Sequence, residues 1–311
     1  MAYQILAYAI EAISHRSYES VIAERVVKPL NLKHTSVTAP KSGGFIPNGP
    51  AQWDFDLGGA GASGGIYSST RDLAKLGLSI LQEKQLSGLE TRRWMKPQAH
   101  TAALHFSVGA PWEIWRTDVH GRVIDIYTKG GDIGMYSSFI YLIPEYEIAV
   151  SVLSGGKSSG LISASIEETA AKLLPVLDDI ARKEACDKYC GHYTNGNSSL
   201  VLKTDDEPGL LVSEWKSRGA DVLVGIGLFA GQTSGAKLRS VRLYPKNTGT
   251  FRALMELELP GASKKQIFSE PSSLPWSLVD IVTYGGIAID LFELDGKTAT
   301  PKVMRQTLHR V

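Results

Sequence analysis

Apolar residues recur every three to four positions in two stretches near the start of the chain. This spacing predicts a helix over residues 1–13 and an amphipathic helix over residues 18–27, which Lys28 and Pro29 end. The chain from residue 35 to residue 65 is instead rich in Gly, Pro, Ser and Asn. It is predicted to be a long loop, and loops of this length in compact domains are usually functional or disordered.

A third helix is predicted next, followed by a set of antiparallel strands. Ser69-Thr-Arg-Asp72 resembles a capping box with Asp in place of Glu, which starts this helix. An amphipathic pattern over residues 162–181 predicts a helix that would cover the sheet. Runs rich in β-branched and aromatic residues, separated by polar turns, predict strands at residues 112–116, 123–128, 137–143 and 148–153.

The pattern changes between about residues 181 and 189. Short strands separated by polar turns are predicted from there on, at residues 200–203, 209–214, 237–244, 251–259 and, in two pieces, 277–294. Regularly spaced strands favour a barrel or a sandwich, and the glycines of Tyr284-Gly-Gly-Ile287 are interpreted as a strand bulge. The predicted fold class is α+β: an α/β domain with an antiparallel sheet over residues 1–183, then a small all-β domain over residues 184–311.

Composition narrows the class of protein. The chain has 311 residues, 43% of them hydrophobic, and this length favours two cores over one. The formal net charge is +1 with Lys and Arg dispersed, so no basic stripe indicates nucleic-acid binding. No apolar run approaches the roughly 18 residues of a membrane helix. We therefore expect a soluble protein that does not bind nucleic acid and has no membrane-spanning helix.

The two cysteines, Cys186 and Cys190, are too few for a disulfide-dense framework. Their spacing suits one face of a helix and would allow a disulfide, but a pair of small apolar residues is favoured. His192 lies nearby without the paired His or Cys spacing of a zinc site. We therefore expect no metal and no cofactor.

The candidate chemistry lies in Lys129-Gly130-Gly131, which follows a β-branched run. Glycines at a strand end let a substrate approach the backbone closely, and the lysine adds a positive charge there. The segment resembles the third motif of serine β-lactamases and penicillin-binding proteins. Three other stretches resemble the class C β-lactamase-related family, which includes fungal members with an appended β-domain: Val26-Val-Lys-Pro-Leu-Asn-Leu32, Gly64-Gly-Ile-Tyr-Ser-Ser-Thr-Arg-Asp-Leu73 and Gly109-Ala-Pro-Trp-Glu-Ile114.

The resemblance implies a partial β-lactamase/transpeptidase-like domain over residues 1–183. It also implies a small lipocalin-like barrel over residues 184–311, because Tyr189-Cys-Gly-His-Tyr193 resembles the entry strand of that domain. Intact relatives carry out acyl transfer from a small-molecule ester or amide to a serine, with backbone N–H groups that stabilise the oxyanion.

The same resemblance implies roles for individual residues. Lys129, Gly130 and Gly131 would form the catalytic-site wall, and the Asp132 N–H would be one of the oxyanion donors. Because the Asp132 carboxylate would repel an anion, a neutral ester or amide is favoured over an anionic β-lactam-type substrate. The loop with Ser63 and Gly64 borders the cleft in the family and would form a binding edge.

Two motifs of the family, Ser-x-x-Lys on a buried helix and Tyr-x-Asn, precede all of these stretches in relatives. Residues 1–11 resemble the helix that follows Tyr-x-Asn, so both motifs are expected upstream of residue 1. We expect an N-terminally truncated, inactive chain, whose exposed apolar surface would favour self-association. The alternative is a non-catalytic remnant that binds a ligand or a partner. The family is often secreted and no signal peptide is visible after Met1, so the compartment stays open.

Short patterns elsewhere match the two motifs by letters alone. Ser-x-x-Lys occurs at Ser154, Ser213 and Ser234, and Tyr-x-Asn occurs at Tyr193. A nucleophile of this kind needs a helix N-terminus, so that Ser and Lys face each other one turn apart. The three serines are predicted after a strand, within a strand and in a polar turn. Tyr193 is predicted to pack inside the β-domain.

A rival motif is Gly61-Ala-Ser63-Gly-Gly65, which matches the G-x-S-x-G elbow of α/β-hydrolases. Asp118 and His120 follow it in the order of that fold's triad. An elbow needs a buried strand directly before the serine and a helix directly after it. Here Gly and Ala residues precede Ser63, and the next predicted helix begins near Ser69. A glycine-rich loop is favoured, and an α/β-hydrolase that uses Ser63 is the less favoured alternative.

Overall fold

The structure is a computed structural model that describes residues 2–48, 52–156, 160–258 and 279–311, together with Pro260 and Trp276. Its contacts divide the chain into two units. The first runs up to Val119 and resumes over Val123–Leu174, and the second comprises His120–Arg122 and Pro175–Val311. Parts of the predicted features, at residues 1, 49–51, 157, 259 and 277–278, lie outside the described residues.

The first unit begins with two helices, as predicted. Helix α1 spans Ala2–Ser14 and α2 spans Tyr18–Ile22, and the chain continues as a π-helix over Ala23–Val27. The Ser17 hydroxyl caps α2 by accepting the Ser20 N–H at 3.3 Å. The predicted helix over residues 18–27 is therefore confirmed, with a change of hydrogen-bond pattern half-way along it.

The predicted loop over residues 35–65 is interrupted near its end. A 3₁₀ turn at Gly58–Ala60 leads into α3 (Gly61–Gly64), so the expectation of a continuous loop is wrong there. Helix α4 spans Thr70–Leu81, and α5 spans Gly88–Trp94. Helix α5 was not predicted, because a seven-residue helix gives too short a pattern.

The predicted start of α4 is half right. The Ser69 hydroxyl accepts the Asp72 N–H at 3.2 Å, as in a capping box. The Asp72 carboxylate does not return the bond. It is buried and instead accepts the His34 N–H at 2.6 Å and the Thr35 hydroxyl at 3.1 Å. Asp72 therefore attaches the segment at His34 and Thr35, which precedes the long loop, to the start of α4.

A six-stranded sheet forms the rest of the first unit, with its strands adjacent in chain order. Its members are β1 (Ala99–His100), β2 (Phe106–Val108), β3 (Glu113–Val119), β4 (Arg122–Ile133), β5 (Tyr136–Ile143) and β6 (Ile148–Gly155). Alternate residues of β4 (Ile124, Ile126 and Thr128) are buried. Helix α6 (Gly160–Tyr189) packs Ala170 and Leu174 into the same core, which confirms the predicted covering helix.

The second unit contains a closed barrel of eight strands. Strand β8 pairs with both β7 and β9, which closes the ring β9-β11-β12-β15-β16-β17-β7-β8. Trp215, Phe292 and Leu308 lie in its core, and so does Tyr193, as predicted. The bounds are β7 (Gly191–Asn195), β8 (Ser198–Lys203), β9 (Leu210–Ser217), β10 (Ala220–Asp221), α7 (Val222–Ser234), β11 (Lys237–Asn247), β12 (Thr250–Glu258), β13 (Thr283–Tyr284), β14 (Ile287–Ala288), β15 (Leu291–Leu294), β16 (Thr298–Pro301) and β17 (Leu308–Arg310).

Several details of the second unit differ from the sequence predictions, and the strands predicted in two pieces over residues 277–294 are the three short strands β13, β14 and β15. Ser234 is the last residue of α7 and not part of a polar turn. Gly285 and Gly286, at φ +58° and +76°, form the two-residue turn of the β13-β14 hairpin and not a strand bulge. Cys186, in the last turn of α6, and Cys190, the residue directly after this helix, form a disulfide, whereas an unpaired apolar pair was favoured.

Candidate active site

The segment Lys129–Asp132 lies in the second half of β4 and is paired with β5 along one side. Gly130 lies opposite Phe139, Gly131 opposite Ser138, and Asp132 opposite Ser137. On the other side, the Thr128 hydroxyl donates to the carbonyl of Glu113, the first residue of β3, at 2.6 Å. Strand β4 then continues to Ile133, past the start of β3.

The ammonium of Lys129 is held close to the strand. Its Nζ lies 2.6 Å from Glu113 Oε1 and 2.8 Å from the carbonyl oxygen of Gly130. The other carboxylate oxygen of Glu113 accepts the Gly130 N–H at 3.3 Å. Glu113 was missed as a site residue, although it belongs to the quoted stretch Gly109-Ala-Pro-Trp-Glu-Ile114. Its position within the strand predicted at residues 112–116 was the available signal.

The two glycines have a packing reason as well as a predicted functional one. A Cβ atom at Gly130 would lie 3.3 Å from the Phe139 ring, and one at Gly131 would lie 3.0 Å from Ser138 Oγ. Both distances are shorter than ordinary van der Waals contact. Glycine therefore lets the side chains of β5 lie close against β4.

Asp132 has separate roles for its side chain and its backbone. Its carboxylate accepts the Ser137 hydroxyl at 2.5 Å across the strand pair. The Gly130 N–H points toward the β3 side, since Glu113 accepts it. N–H groups two residues apart in a strand point the same way, so the Asp132 N–H faces that side too. Its role as an oxyanion donor stays a prediction.

The binding edge predicted at Ser63 and Gly64 lies near the end of the same strand. A Cβ atom at Gly64 would be 2.9 Å from Cδ1 of Ile133, the last residue of β4. The Ala62 N–H donates to Gln4 Oε1 at 3.0 Å, which attaches α3 to α1. Ser63 itself is exposed. The structure thus brings this edge to the end of β4.

The nucleophile-elbow hypothesis for Ser63 does not fit its local structure. Ser63 is the third residue of the four-residue helix α3, and the 3₁₀ turn Gly58–Ala60 precedes it in place of a buried strand. His120, the expected base of that triad, has its Nδ1 3.2 Å from Asp178 Oδ2.

The letter matches to Ser-x-x-Lys also lack the required context. Ser154 lies in β6, Ser213 in β9, and Ser234 at the C-terminal end of α7. Tyr193, of the Tyr-x-Asn match, is buried, and its hydroxyl donates to the Tyr189 carbonyl at 2.8 Å. These four residues therefore have structural positions unlike those that the catalytic motifs need.

Tyr127 precedes the wall segment on β4. Burial of its ring, together with the nearby carboxylates of Asp125 and Glu145, raises the pKa of Tyr127 to about 12. The phenol is therefore protonated at neutral pH. Within the described ranges, no group of three or more His, Cys, Asp or Glu side chains could hold a metal ion. Across the same residues, no helix combines the length and the apolarity of a membrane span.

Comparisons with known proteins cover both units. Residues 1–168 match the family described as "Beta-lactamase", and residues 181–311 match one described as "Beta-lactamase-like-like, C-terminal domain". A beta-lactamase-like protein of Arthroderma benhamiae is 29% identical over 335 residues, which cover 93% of this chain and 55% of that protein. A probable hydrolase of Phoma sp. is 30% identical over 245 residues, which cover 76% of this chain and 40% of that protein.

The chain spans about half the length of these curated relatives, 55% and 40%. Among solved structures, it is similar to the octameric penicillin-binding protein homologue of Pyrococcus abyssi. The identity is 18% and the TM-score 0.44, over 98% of this chain and 63% of that one.

Proposed function

The chain belongs to the beta-lactamase family, and from that premise we propose that β4 forms the substrate-binding wall of a serine acyl hydrolase or acyltransferase. The main support for this proposal is that β4 extends beyond the start of β3, which leaves that side of its last residues without a neighbouring strand in the described part of the chain. The Lys129 ammonium lies beside Gly130 in this part of β4. A probable hydrolase among the relatives supports the reaction class.

In acyl transfer, a serine oxygen bonds to the substrate carbonyl carbon and the leaving group departs with a proton. Water or an alcohol then releases the acyl group. In this proposal the Asp132 N–H donates to the carbonyl oxygen as that oxygen becomes negative. The Lys129 ammonium adds a fixed positive charge beside it. Gly130 and Gly131 keep the wall free of side chains.

The substrate class follows from the charge at the end of the wall. The Asp132 carboxylate lies on the same residue as the proposed oxyanion donor and is held by Ser137. A substrate carboxylate near this point would be repelled, whereas an uncharged ester or amide would not. We therefore propose a neutral ester or amide substrate.

The 311-residue chain by itself is proposed not to form an acyl-enzyme. The serines of the three Ser-x-x-Lys matches lie in two strands and at a helix C-terminus, so none is positioned as the nucleophile of this family. A second candidate function is non-catalytic binding of a ligand or partner. The pairing of Lys129 with Glu113 favours it, since a carboxylate beside the ammonium offsets the positive charge that would stabilise an oxyanion.

Active-site labelling tests the absence of a competent nucleophile. We expect no time-dependent labelling of the 311-residue chain by a fluorophosphonate probe or a penicillin probe, measured by mass spectrometry of the intact protein. A heat-denatured sample controls for non-specific reaction. Stoichiometric labelling at any serine would overturn this part of the proposal, and labelling at Ser63 would restore the α/β-hydrolase hypothesis.

A further inference from the structure

Glu113 contacts three consecutive residues of β4. Its carbonyl oxygen accepts the Thr128 hydroxyl at 2.6 Å, and its two carboxylate oxygens accept from Lys129 Nζ at 2.6 Å and from the Gly130 N–H at 3.3 Å. Its neighbours Trp112 and Ile114 are buried, which fixes the backbone on both sides. The carboxylate is therefore held against the wall from its own strand.

The two groups that this carboxylate occupies form a good binding site for an anion. An ammonium and a backbone N–H that converge on one carboxylate make charge-assisted hydrogen bonds to it. A substrate carboxylate at the wall would need the same two donors for its hydrogen bonds. Glu113 already occupies these donors, and the Asp132 carboxylate further along the strand would also repel the substrate carboxylate.

We propose that the Glu113 carboxylate determines the substrate specificity of the wall. Because it occupies the Lys129 ammonium and the Gly130 N–H, it excludes substrates with a carboxylate and admits uncharged ones. The inference rests on the proposed function, because it concerns the same wall. It goes further by naming the residue that sets the charge preference. A tethered carboxylate competes at an effective concentration of about millimolar or higher, so a free carboxylate is at a disadvantage.

The Glu113 contact is also weak enough to be altered without loss of the fold. The side chains of Lys129 and Glu113 are 40% and 36% exposed, and pairs this exposed contribute little to stability. Glu113→Gln keeps the size of the side chain and an oxygen that can accept a hydrogen bond. It removes the negative charge, so the Lys129 ammonium becomes available to an external anion.

The test is a titration of the full 311-residue chain labelled with ¹⁵N-glycine, read at the amide signals of Gly130 and Gly131. The probes are N-acetylglycine, which carries a carboxylate, and N-acetylglycinamide, which is uncharged. In the wild type we expect the amide to shift both signals and the carboxylate to bind at least about tenfold more weakly. Glu113→Gln should strengthen carboxylate binding about tenfold and change amide binding less than about threefold.

The matched control is Glu168→Gln. Glu168 forms an exposed ion pair with Lys172 at 2.6 Å, the same distance as the Glu113–Lys129 pair, but it lies on α6. This variant should bind both probes as the wild type does. A purely structural role for Glu113 would alter the binding of both probes together, so only a change in their ratio supports the inference.

Two negative results have different meanings. If the amide shifts Gly130 and Gly131 but carboxylate binding is the same in the wild type and in Glu113→Gln, the role of Glu113 is overturned and the proposed wall stands. If neither probe shifts these signals in any of the three proteins, the wall does not bind substrate, and the proposed function is overturned together with the inference.

Discussion

The barrel strands of the second unit and helix α1 of the first unit differ in how completely they bury their apolar side chains. In the barrel the strands pair around a closed ring, and the rings of Trp215 and Phe292 are at most 1% exposed. In the first unit, α1 leaves Leu6 56% and Ile13 82% exposed. The barrel strands therefore enclose an apolar core, whereas α1 leaves apolar side chains exposed.

The largest effect that would test this comparison is expected in the barrel core. Trp215 packs edge-on against Phe292 with ring centroids 5.0 Å apart, and its indole N–H points at Met304 Sδ at 2.9 Å. Trp215→Ala should lower the free energy of unfolding by about 3–5 kcal/mol, because it leaves a large cavity. Chemical denaturation of the full chain measures this.

Trp115 supplies the matched control in the first unit. Its side chain is half exposed on β3, where it contacts the Phe106 ring at 4.8 Å between centroids. Trp115→Ala should cost no more than about 1 kcal/mol. Equal costs for the two substitutions would contradict the expected difference between the buried barrel core and an exposed position on β3.

A smaller effect is expected on the exposed face of α1. Leu6 and Ile13 are seven residues apart, so they lie on one side of the helix. Exposed apolar patches promote association. We expect the chain to self-associate, and Leu6→Ser with Ile13→Ser to weaken that association about tenfold, as measured by sedimentation velocity.

The control for this prediction is Leu104→Ser, since Leu104 is an exposed leucine in the turn before β2 and not part of α1. It should leave the association constant unchanged. A wild-type chain that sediments as a single monomeric species over the whole concentration range would show that the exposed face of α1 does not cause self-association.

The smallest effect concerns the alkaline stability of the sheet. The folded-state pKa of Tyr127 is about 12, above its ordinary value of 10.0. The stability that the protonated phenol contributes is therefore complete below pH 10 and is lost as the pH rises toward 12. We compare pH 9 and pH 11, about one unit on either side of that ordinary pKa. Between these two values the unfolding free energy of Tyr127→Phe should fall less than that of the wild type. The same slope in both proteins would exclude this contribution.

Features with a local pattern could be predicted from the sequence. The apolar spacing of α1, the β-branched run that leads to Lys129 and the hairpin of β5 and β6 all depend on neighbours in the chain, and all three are confirmed. Helix α7 was missed because Val222–Ser234 has a low polar content and several glycines, which give no helical stripe.

Features that depend on register or pairing could not be predicted. Glu113 and Lys129 are 16 residues apart, and only the pairing of β3 with β4 brings the carboxylate to the ammonium. The spacing of Cys186 and Cys190 on a helix is compatible with either a disulfide or a free pair, so the sequence pattern did not decide between them. The carboxylate of Asp72 was likewise expected to cap its own helix, but it bonds to the preceding loop.

The place of Lys129 in a substrate-binding wall can be tested by a measurement of turnover. In a version of the protein extended to include the Ser-x-x-Lys and Tyr-x-Asn motifs of the family, Lys129→Ala should lower the rate of acyl transfer from a neutral ester by about 10²-fold, with the fold intact. Lys172→Ala, at the exposed α6 ion pair, should leave the rate unchanged. An active extended protein with the same kinetics before and after Lys129→Ala would show that Lys129 is not part of a substrate-binding wall.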